Sequence, residues 1–511
     1  MPERTTTSGT FWALIVVAVG VALAARAWDV NSRALNFDEV YEVTHCEGGL
    51  AKIVQQPDGL PPTYHLLLAR WIRWFGSDVA ARWLSVAFGI ATVVATGLWG
   101  RLIGGERTGC LAALLLAVSS MHVYHCQEAR GYSMFGFFVA LVLLFGWRLL
   151  TKNDWLDWTL FAVASWLAAA THYYAAVPVA MMWLFIGLAH PGRIWPRGVA
   201  SAGVLALCLA PIVYCFWIDL QHNSGDFPLS VFHLKAWAYT YVALVGGYSL
   251  GPPINELRDL TFGQGALRTI PSALAIAACG LPITIAALRA PGRRADACRL
   301  LGLLIGAVLL LGTLTRLADT PYIYRYVAWL VVPLCVFLAL GLDSMTSRKW
   351  RLLLMSGLLA ISSVSIVKWH VDERYWQDDF FGVARLLDKN GPGEAVLSLP
   401  SYFAQATKYH LAAARPVVAA SALLQGPQDW HEALPELAQA AQNQRQYWIV
   451  AQWLPHDDAR LSVRQQLLEL LQAEQVAQIT TIMVYRASVE RLQEVVDQLP
   501  QRADSSPSPA P

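Results

Sequence analysis

The chain has 511 residues, of which 56% are hydrophobic and only 14% are charged. In soluble proteins about a quarter of the residues are charged. This composition therefore excludes a wholly soluble protein and indicates an integral membrane protein. The formal net charge of +2, without a basic stripe, gives no indication of a nucleic-acid partner.

A series of long apolar runs predicts a polytopic α-helical membrane protein with about eleven transmembrane helices. The runs lie near residues 10–27, 80–101, 108–121, 133–150, 157–171, 174–190, 198–218, 266–289, 299–317, 323–342 and 351–368. Those that begin at 108 and 157 are short for full spans, which indicates tilted or partly re-entrant segments. The first run is at the long end for a signal peptide, and Ala-Arg-Ala at 25–27 is a poor cleavage site, so we expect a retained helix.

The loops between these runs predict the orientation, because cytoplasmic loops carry an excess of arginine and lysine. Alternate loops are basic, with Arg101 and Arg107, Arg148 and Lys152, Arg193 and Arg197, Arg289 to Arg299, and Arg348 to Arg351. The opposite loops are nearly uncharged or long, the long ones at about 28–79 and 219–265. We therefore expect a plasma (inner) membrane protein with a cytoplasmic N-terminus and an extracytoplasmic C-terminal region.

Residues 370–499 have the pattern of an extracytoplasmic soluble α/β domain that follows a transmembrane domain of residues 1–369. The predicted strands are Ala395–Leu399, Pro416–Ala420, Tyr447–Trp453 and Ile479–Tyr485, and the predicted helices include Asp378–Leu387 and Asp458–Leu471. The serine and proline content of residues 500–511 predicts a disordered tail.

Polar residues collect in the loops that are predicted to lie outside. They are Asp38 and Glu39; Tyr64 and His65; Gln127, Glu128, Arg130 and Tyr132; His172 and Tyr173; and Arg325 and Tyr326. Polar residues at helix ends are common, because the headgroup region tolerates them. Charged groups near the membrane core are costly, however, and usually serve a site. Adjacent acids suit a base or a cation site, and the two arginines suit an anionic phosphate.

These residues resemble the GT-C glycosyltransferases, and in particular the bacterial relatives of the protein O-mannosyltransferases and the lipid A aminoarabinose transferases. The resemblance rests on Asp38-Glu39 after the first helix, Pro61-Pro62 with Tyr64, and the stretch from Gln127 to Tyr132. Further marks are His172-Tyr173, Arg325-Tyr326 before Pro333, and Tyr375-Trp376. The family more commonly has a histidine just before the paired prolines; this chain has Leu60 there, and His65 is the nearest replacement.

The resemblance implies a hexosyl- or pentosyltransferase that moves a sugar, with inversion, from a polyprenyl-phosphate-linked lipid donor to an extracytoplasmic acceptor. The acceptor is then a lipid, an envelope glycan or a protein. Asp38 is implied as the base, with Glu39 positioning it. Arg130, Arg325, Tyr326 and Tyr132 are implied to bind the donor phosphate, and Tyr64, His65, Gln127, Glu128, His172 and Tyr173 the substrates. Some members use a divalent cation such as Mg²⁺ or Mn²⁺, for which Asp38 and Glu39 are the candidate ligands here; no nucleotide cofactor is expected.

Two other classes of protein remain open from the residues alone. A polytopic transporter or lipid flippase would place polar groups or glycine and proline breaks at mid-membrane depth, often in corresponding halves of the chain. A membrane scaffold would need no adjacent acids and arginines. The plain helix interiors and the polar helix ends favour the transferase over both.

Two of the eight cysteines, Cys46 and Cys126, fall in predicted outer segments. In an oxidising compartment two such thiols can pair, which would join the first outer loop to the second. Since His45 and His125 precede them, a His/Cys metal site is a rival interpretation, and two unpaired buried cysteines are a third.

Overall fold

The computed structural model describes residues 8–47, 49, 53, 60–76, 80–189, 195–222, 234–317, 324–376, 378–412, 414–420, 428–454 and 459–499. The chain divides into two units. A helical unit contains residues up to Arg33 and most residues from Glu42 to Tyr375, and an α/β unit contains Ala34–Tyr41 and the chain from Trp376 onward. The predicted tail at 500–511 lies outside the described residues.

Helices follow one another through the first part of the chain. They are α1 (Gly9–Ala27), α2 (Phe37–Glu47), α3 (Thr63–Phe75), α4 (Ala81–Gly104), α5 (Glu106–Ala117), α6 (Ser120–Cys126), α7 (Tyr132–Leu149), α8 (Trp155–Thr171), α9 (Ala176–Ala189), α10 (Trp195–His222), α11 (Leu234–Gly246), α12 (Ile254–Asp259), α13 (Phe262–Leu288), α14 (Arg293–Leu317), α15 (Val331–Ser344) and α16 (Arg348–Val371). Two 3₁₀ segments, Tyr173–Ala175 and Tyr324–Leu330, lead into α9 and α15. Each predicted apolar run therefore corresponds to a helix, and the two long outer loops contain helices of their own.

Eight described helices are long and apolar enough to cross a membrane, and α5 with α6 would add a ninth as a bent pair. Helices α10 and α13 bury only a small part of their surface, and exposed side chains such as Leu207, Trp217 and Leu274 are large and apolar. Such surfaces suit lipid, where a helix satisfies its backbone hydrogen bonds internally. The structure confirms a polytopic helical membrane protein, while the count of about eleven spans stays a prediction.

Glycines allow α1, α4 and α5 to pack closely. A Cβ atom on Gly109 of α5 would lie 2.5 Å from the carbonyl oxygen of Gly97 in α4. A Cβ atom on Gly97 would lie 2.8 Å from Cδ1 of Ile15 in α1. Small residues let helix backbones approach within dispersion range, which is a main source of helix association in lipid.

The predicted short span at 108–121 is a broken helix, because α5 ends at Ala117 and α6 is inclined to it by 59°. The fully buried Arg26 of α1 lies at the break, where its guanidinium donates hydrogen bonds to the carbonyl oxygens of Ala117 (2.8 Å) and Leu116 (3.1 Å). Carbonyl groups at a helix C-terminus lack intrahelical donors and stabilise a cation. Arg26 thus stabilises the bend from which α6 leads to Gln127 and Glu128.

At the opposite end of these helices, Asp343 connects two of the predicted basic loops. Its carboxylate accepts hydrogen bonds from Arg294 Nη2 (2.7 Å) and Thr108 Oγ1 (3.0 Å) and pairs with Arg107 Nε (3.3 Å). We call this side of the helical unit the Asp343 end. The loops that the charge pattern groups together therefore meet, as the alternation predicts.

The α/β unit contains a mixed five-stranded sheet of order β2-β1-β3-β5-β4. Its strands are β1 (Val396–Leu399), β2 (Val417–Ala419), β3 (Gln446–Gln452), β4 (Glu474–Ile479) and β5 (Ile482–Ser488), and its helices are α17 (Phe380–Asn390), α18 (Phe403–His410), α19 (Gln428–His431), α20 (Ala433–Ala441), α21 (Ala459–Leu470) and α22 (Val489–Asp497). The three strands β2, β1 and β3 are parallel, and β5 and β4 are antiparallel to their neighbours. Alternate residues of β3 enter two apolar cores, one on each face of the sheet.

The predicted strand Ile479–Tyr485 is wrong, because it covers a hairpin: β4 ends at Ile479, which pairs with Ile482 at the start of β5. Thr480 takes the left-handed conformation (φ 51°) that the turn requires. The sequence has no glycine, asparagine or aspartate there, so the usual signal of a two-residue hairpin turn is missing. The second unit starts at Trp376 and includes Val40, which is buried in its core, while the domain boundary at 369/370 stays a prediction.

Candidate active site

Three helix junctions of the helical unit meet at the end opposite to Asp343. They are the α6–α7 turn with Arg130, the α8–α9 turn with His172, and the 3₁₀ segment with Arg325 and Tyr326. The guanidinium carbons of Arg130 and Arg325 lie 5.8 and 5.9 Å from the centre of the Tyr132 ring. The Tyr326 ring lies 4.9 Å from His172 and 6.3 Å from Tyr132. We call these five residues the arginine–aromatic cluster, and the side of the unit that holds them the Arg130 end.

The electrostatics of this cluster are set by its two cations. His172 is 2% exposed, and its burial, together with the charges of Arg130 and Arg325, lowers the pKa of its imidazole to about 3. The ring is therefore neutral at physiological pH. An arginine fork is planar, permanently charged and suited to phosphate oxygens, so two such groups around one tyrosine suit the binding of an anion.

A buried carboxylate, Glu42, lies beside this cluster and was not a predicted site residue. Its Oε1 forms an ion pair with Arg130 Nη1 at 2.8 Å, and its Oε2 lies 2.6 Å from His65 Nε2. Glu42 is fully buried and His65 is 1% exposed, and the His45 ring packs edge-on against His65. We call Glu42, His65 and Arg130 the Glu42 cluster. The signal in the sequence was a third acid four residues after Asp38, one helical turn further along α2.

Tyr64 supports the backbone next to Arg130. Its hydroxyl donates to Ser85 Oγ (3.3 Å), which in turn donates to the carbonyl oxygen of Arg130 (3.2 Å). The Tyr64 side chain also lies against Gly131, where an added Cβ atom would be 3.4 Å from it. Tyr64 and His65 are thus both placed near Arg130, although through different atoms.

Asp38 and Glu39 occupy the first turn of α2, in the segment that belongs to the α/β unit. Glu39 forms a reciprocal cap with Asn36: the Asn36 backbone N donates to Glu39 Oε2 (2.9 Å), and the Glu39 backbone N donates to Asn36 Oδ1 (3.0 Å). This is the hydrogen-bond pattern of a capping box, which stabilises a helix start. Glu39 therefore has a local structural role, while the half-buried Asp38 precedes it in the same turn.

Gln127 and Glu128 act in different surroundings. Gln127 Nε2 donates to the carbonyl oxygens of Trp28 (2.8 Å) and Arg26 (3.2 Å), so it connects the end of α6 to the end of α1. Glu128 Oε2 accepts from His125 Nδ1 (3.3 Å), and the other imidazole nitrogen of His125 accepts from the Tyr248 hydroxyl (2.9 Å). The His125 ring lies 5.0 Å from Tyr132, so this hydrogen-bonded chain reaches the arginine–aromatic cluster.

Tyr173 lies outside the cluster. Its hydroxyl donates to Asp219 Oδ2 (2.5 Å), and its ring packs against Phe216 in α10. The neighbouring Tyr174 contacts the arginine–aromatic cluster instead, with its ring 5.0 Å from Tyr326 and 5.6 Å from His172. The tight 3₁₀ turn at Tyr173–Ala175 sends consecutive side chains in different directions, which the dipeptide alone does not reveal.

The disulfide considered for Cys46 and Cys126 is not formed, and both side chains are buried. Cys46 Sγ donates to the carbonyl oxygen of His65 (3.3 Å), and Cys126 Sγ lies 3.7 Å from His122 Nδ1. Among the described residues, no group of three or more histidine, cysteine, aspartate or glutamate side chains is arranged to hold a metal ion. The His/Cys metal site considered from the sequence is therefore not formed by these residues.

No protein-family model and no curated protein matches this sequence. Solved structures do. ArnT from Cupriavidus metallidurans in the apo state aligns with a TM-score of 0.61 and 14% identity over 95% of this chain and 99% of that chain. The same protein bound to undecaprenyl phosphate aligns with a TM-score of 0.59 and 14% identity over 94% of this chain and 98% of that chain. A third match is the archaeal oligosaccharyltransferase AglB from Archaeoglobus fulgidus in complex with an inhibitory peptide and a dolichol-phosphate. It aligns with a TM-score of 0.53 and 11% identity over 87% of this chain and 69% of that chain.

The chain therefore has the fold of the GT-C membrane glycosyltransferases. At these identities the similarity establishes the fold. It extends to ArnT, a lipid A aminoarabinose transferase, over nearly the whole of both chains. The resemblance predicted from the polar residues of the outer loops is confirmed at that level.

Proposed function

We propose that this protein is a glycosyltransferase that moves a sugar from a polyprenyl-phosphate-linked donor to an extracytoplasmic acceptor, with inversion at the anomeric carbon. The observation that carries the proposal is the arginine–aromatic cluster: two guanidinium groups around Tyr132, beside a neutral histidine, at the Arg130 end of a GT-C fold. Proteins of the same fold bind undecaprenyl phosphate and dolichol-phosphate. A lipid phosphate is the anion that such a cluster suits.

The reaction needs a base and an anion site. The acceptor hydroxyl oxygen forms a bond to the anomeric carbon while the bond from that carbon to the donor phosphate oxygen breaks. Asp38 takes the hydroxyl proton, and the polyprenyl phosphate leaves with the bonding electron pair. Arg130 and Arg325 stabilise the charge that develops on the leaving phosphate. Glu42 holds Arg130 in place through their 2.8 Å ion pair, so the guanidinium keeps its orientation when the site is empty.

If a divalent cation such as Mg²⁺ or Mn²⁺ takes part, Asp38 and Glu39 would hold it, and it would supply positive charge beside the leaving phosphate. The acceptor is a lipid, an envelope glycan or a protein, and the sugar is a hexose or a pentose. The proposed location is the plasma membrane, with the N-terminus in the cytoplasm and the Arg130 end outside.

The test uses the full-length protein in lipid nanodiscs, radiolabelled undecaprenyl-phosphate mannose, glucose and arabinose, and envelope fractions of a strain that lacks this gene. We expect label to move from one donor into the envelope fraction, with release of undecaprenyl phosphate. Asp38→Asn should lower the rate on the order of 10²–10⁴-fold, because a general base contributes that much. The thermal unfolding of this variant should stay near that of the wild type.

Two results would contradict the proposal. Near-normal turnover by the Asp38→Asn protein would show that Asp38 is not the general base. A wild-type protein that moves the intact labelled lipid across proteoliposome membranes, without breaking the bond between sugar and phosphate, would be a transporter or flippase.

A further inference from the structure

His172 has one nitrogen whose hydrogen-bonding role is fixed by the chain. The residue follows α8 in an extended conformation, and its Nδ1 accepts a hydrogen bond from the backbone N of Tyr174 (3.1 Å). A neutral imidazole that accepts at one nitrogen carries its proton on the other. The Nε2 atom of His172 is therefore a hydrogen-bond donor.

This donor has no hydrogen-bond partner among the described residues, although His172 is 2% exposed. Burying a donor without a partner costs about 1–3 kcal/mol, and native proteins rarely accept this cost without a reason. The ring is also held firmly, since it stacks on Phe135 at 4.9 Å with planes 17° apart. A rigid, buried, unsatisfied N–H group is an observation that points to a ligand.

The groups around His172 indicate the charge of that ligand. Tyr132, Tyr174 and Tyr326 surround the ring at 6.0, 5.6 and 4.9 Å, and Arg130 and Arg325 are close enough for their charges to act on it. Each arginine supplies donors and no acceptors. Glu42 pairs with one of these cations, Arg130, and the complement to donors from both arginines and from a neutral N–H group is an anionic oxygen.

We propose that His172 Nε2–H donates a hydrogen bond to a phosphate oxygen of the lipid donor. The phosphate is then bound by two guanidinium cations and one uncharged imidazole. The inference rests on the proposed function and adds a specific contact to it. The hydrogen bond uses the proton that Nε2 already carries, so binding the phosphate requires no proton transfer.

Two substitutions separate the roles of the two nitrogens. In His172→Asn the side-chain oxygen lies near the position of Nδ1 and can accept from Tyr174, but no donor reaches the position of Nε2. In His172→Gln the amide nitrogen reaches approximately the position of Nε2. His431→Asn, in the α/β unit, controls for the same substitution elsewhere.

The measurement is the affinity of the full-length protein in nanodiscs for undecaprenyl phosphate, by native mass spectrometry. A hydrogen bond to a charged group contributes about 1.5–3 kcal/mol, so we expect His172→Asn to bind about 10- to 100-fold more weakly. His172→Gln should recover most of the affinity, and His431→Asn should bind as the wild type does. The ratio between wild type and His172→Asn should not grow as the pH falls from roughly 8 to 6, since a donor that is already neutral gains nothing from protonation there.

Folded His172→Asn protein that binds undecaprenyl phosphate as tightly as the wild type would overturn the inference and leave the proposed function intact. So would a ratio that grows only toward acid pH, because that would require a protonated imidazole. A wild-type protein that binds no undecaprenyl phosphate would overturn the proposed function itself. If His172→Asn does not fold, His172→Gln decides: a Gln variant that has lost the lipid while keeping its wild-type unfolding temperature counts against the contact.

Discussion

Both ends of the helical unit bring arginines together, and they do so in different ways. At the Asp343 end, one carboxylate accepts from Arg294 and Thr108 and pairs with Arg107, whose side chain is 52% exposed. At the Arg130 end, the arginines lie against the Tyr132 ring and beside a neutral histidine, and Arg130 is 8% exposed. The first arrangement joins loops at a hydrated surface. The second holds positive charge in a buried, aromatic environment, which is the condition under which an anion is bound strongly.

The two carboxylates that pair with arginines, Glu42 and Asp343, also differ in their surroundings. Glu42 is fully buried with a histidine and an arginine, whereas the Asp343 carboxylate is 9% exposed and its partners Arg107 and Arg294 are 52% and 27% exposed. Breaking a buried pair leaves a charge without compensation, but an exposed pair is replaced by solvent. The same residue types therefore differ in energetic importance because of their depth.

The largest effect is expected from Glu42→Gln. It removes the anion between Arg130 and His65 and should lower the free energy of unfolding by about 3–5 kcal/mol. The matched substitution at the other end, Asp343→Asn, should lower it by only about 1 kcal/mol, because Arg107 is largely hydrated. Denaturant titrations of the two purified variants measure these losses. Equal losses of unfolding free energy would show that the Glu42 and Asp343 carboxylates do not differ in energetic importance.

The second prediction concerns ligand affinity. Arg325→Ala should weaken binding of undecaprenyl phosphate by about 10- to 100-fold, as expected for the loss of a charged hydrogen-bond donor. Arg325→Lys should recover only part of this, because it keeps the charge and loses the fork. Arg294→Ala, at the Asp343 end, should bind the lipid as the wild type does. If Arg325→Ala also binds normally, Arg325 only anchors its helix at the membrane surface.

The third prediction concerns pH and stability. The folded protein keeps His172 neutral because its pKa is about 3, whereas the unfolded chain takes up a proton near the ordinary value of 6.5. Acidification from pH 6.5 toward 3 therefore favours unfolding, by up to about 1.4 kcal/mol for each pH unit, and there is no contribution above pH 6.5.

This contribution is absent from His172→Asn. The difference in unfolding free energy between wild type and variant should therefore shift in favour of the variant as the pH falls from roughly 7.5 to 5. Thermal unfolding of wild type and variant at both pH values measures this shift. Parallel pH profiles would show that the pKa of His172 is not lowered in the folded protein.

The smallest effect is expected from Glu39→Gln. An amide oxygen still accepts from the Asn36 backbone but loses the charge that favours a helix N-terminus, so the cost should be about 0.3–1 kcal/mol. Turnover should fall much less than in Asp38→Asn. A loss of turnover as large as that of Asp38→Asn, at unchanged stability, would place Glu39 in the chemistry rather than in the cap.

Several features of this protein were determined by local sequence. Spans were predicted because about twenty apolar residues in a row have no other stable environment, and helix positions followed from them. Arg130, Tyr132, His172, Arg325 and Tyr326 were recognised because they lie in the predicted outer loops and match the pattern of the GT-C glycosyltransferases. Most of the sheet was predicted from short apolar strands, and only the hairpin at Thr480 was missed.

Tertiary structure alone decided which of these residues meet and what each one does. Glu42 was overlooked because a carboxylate in a polar stretch reveals its importance only when Arg130 and His65, distant in sequence, enclose it. Tyr174 rather than Tyr173 joins the cluster because a 3₁₀ turn orients the pair. Glu39 caps α2, and the thiols of Cys46 and Cys126 find other contacts. Long-range packing determines burial and pairing, and these in turn determine charge, pKa and energetic importance, which no local pattern of residues specifies.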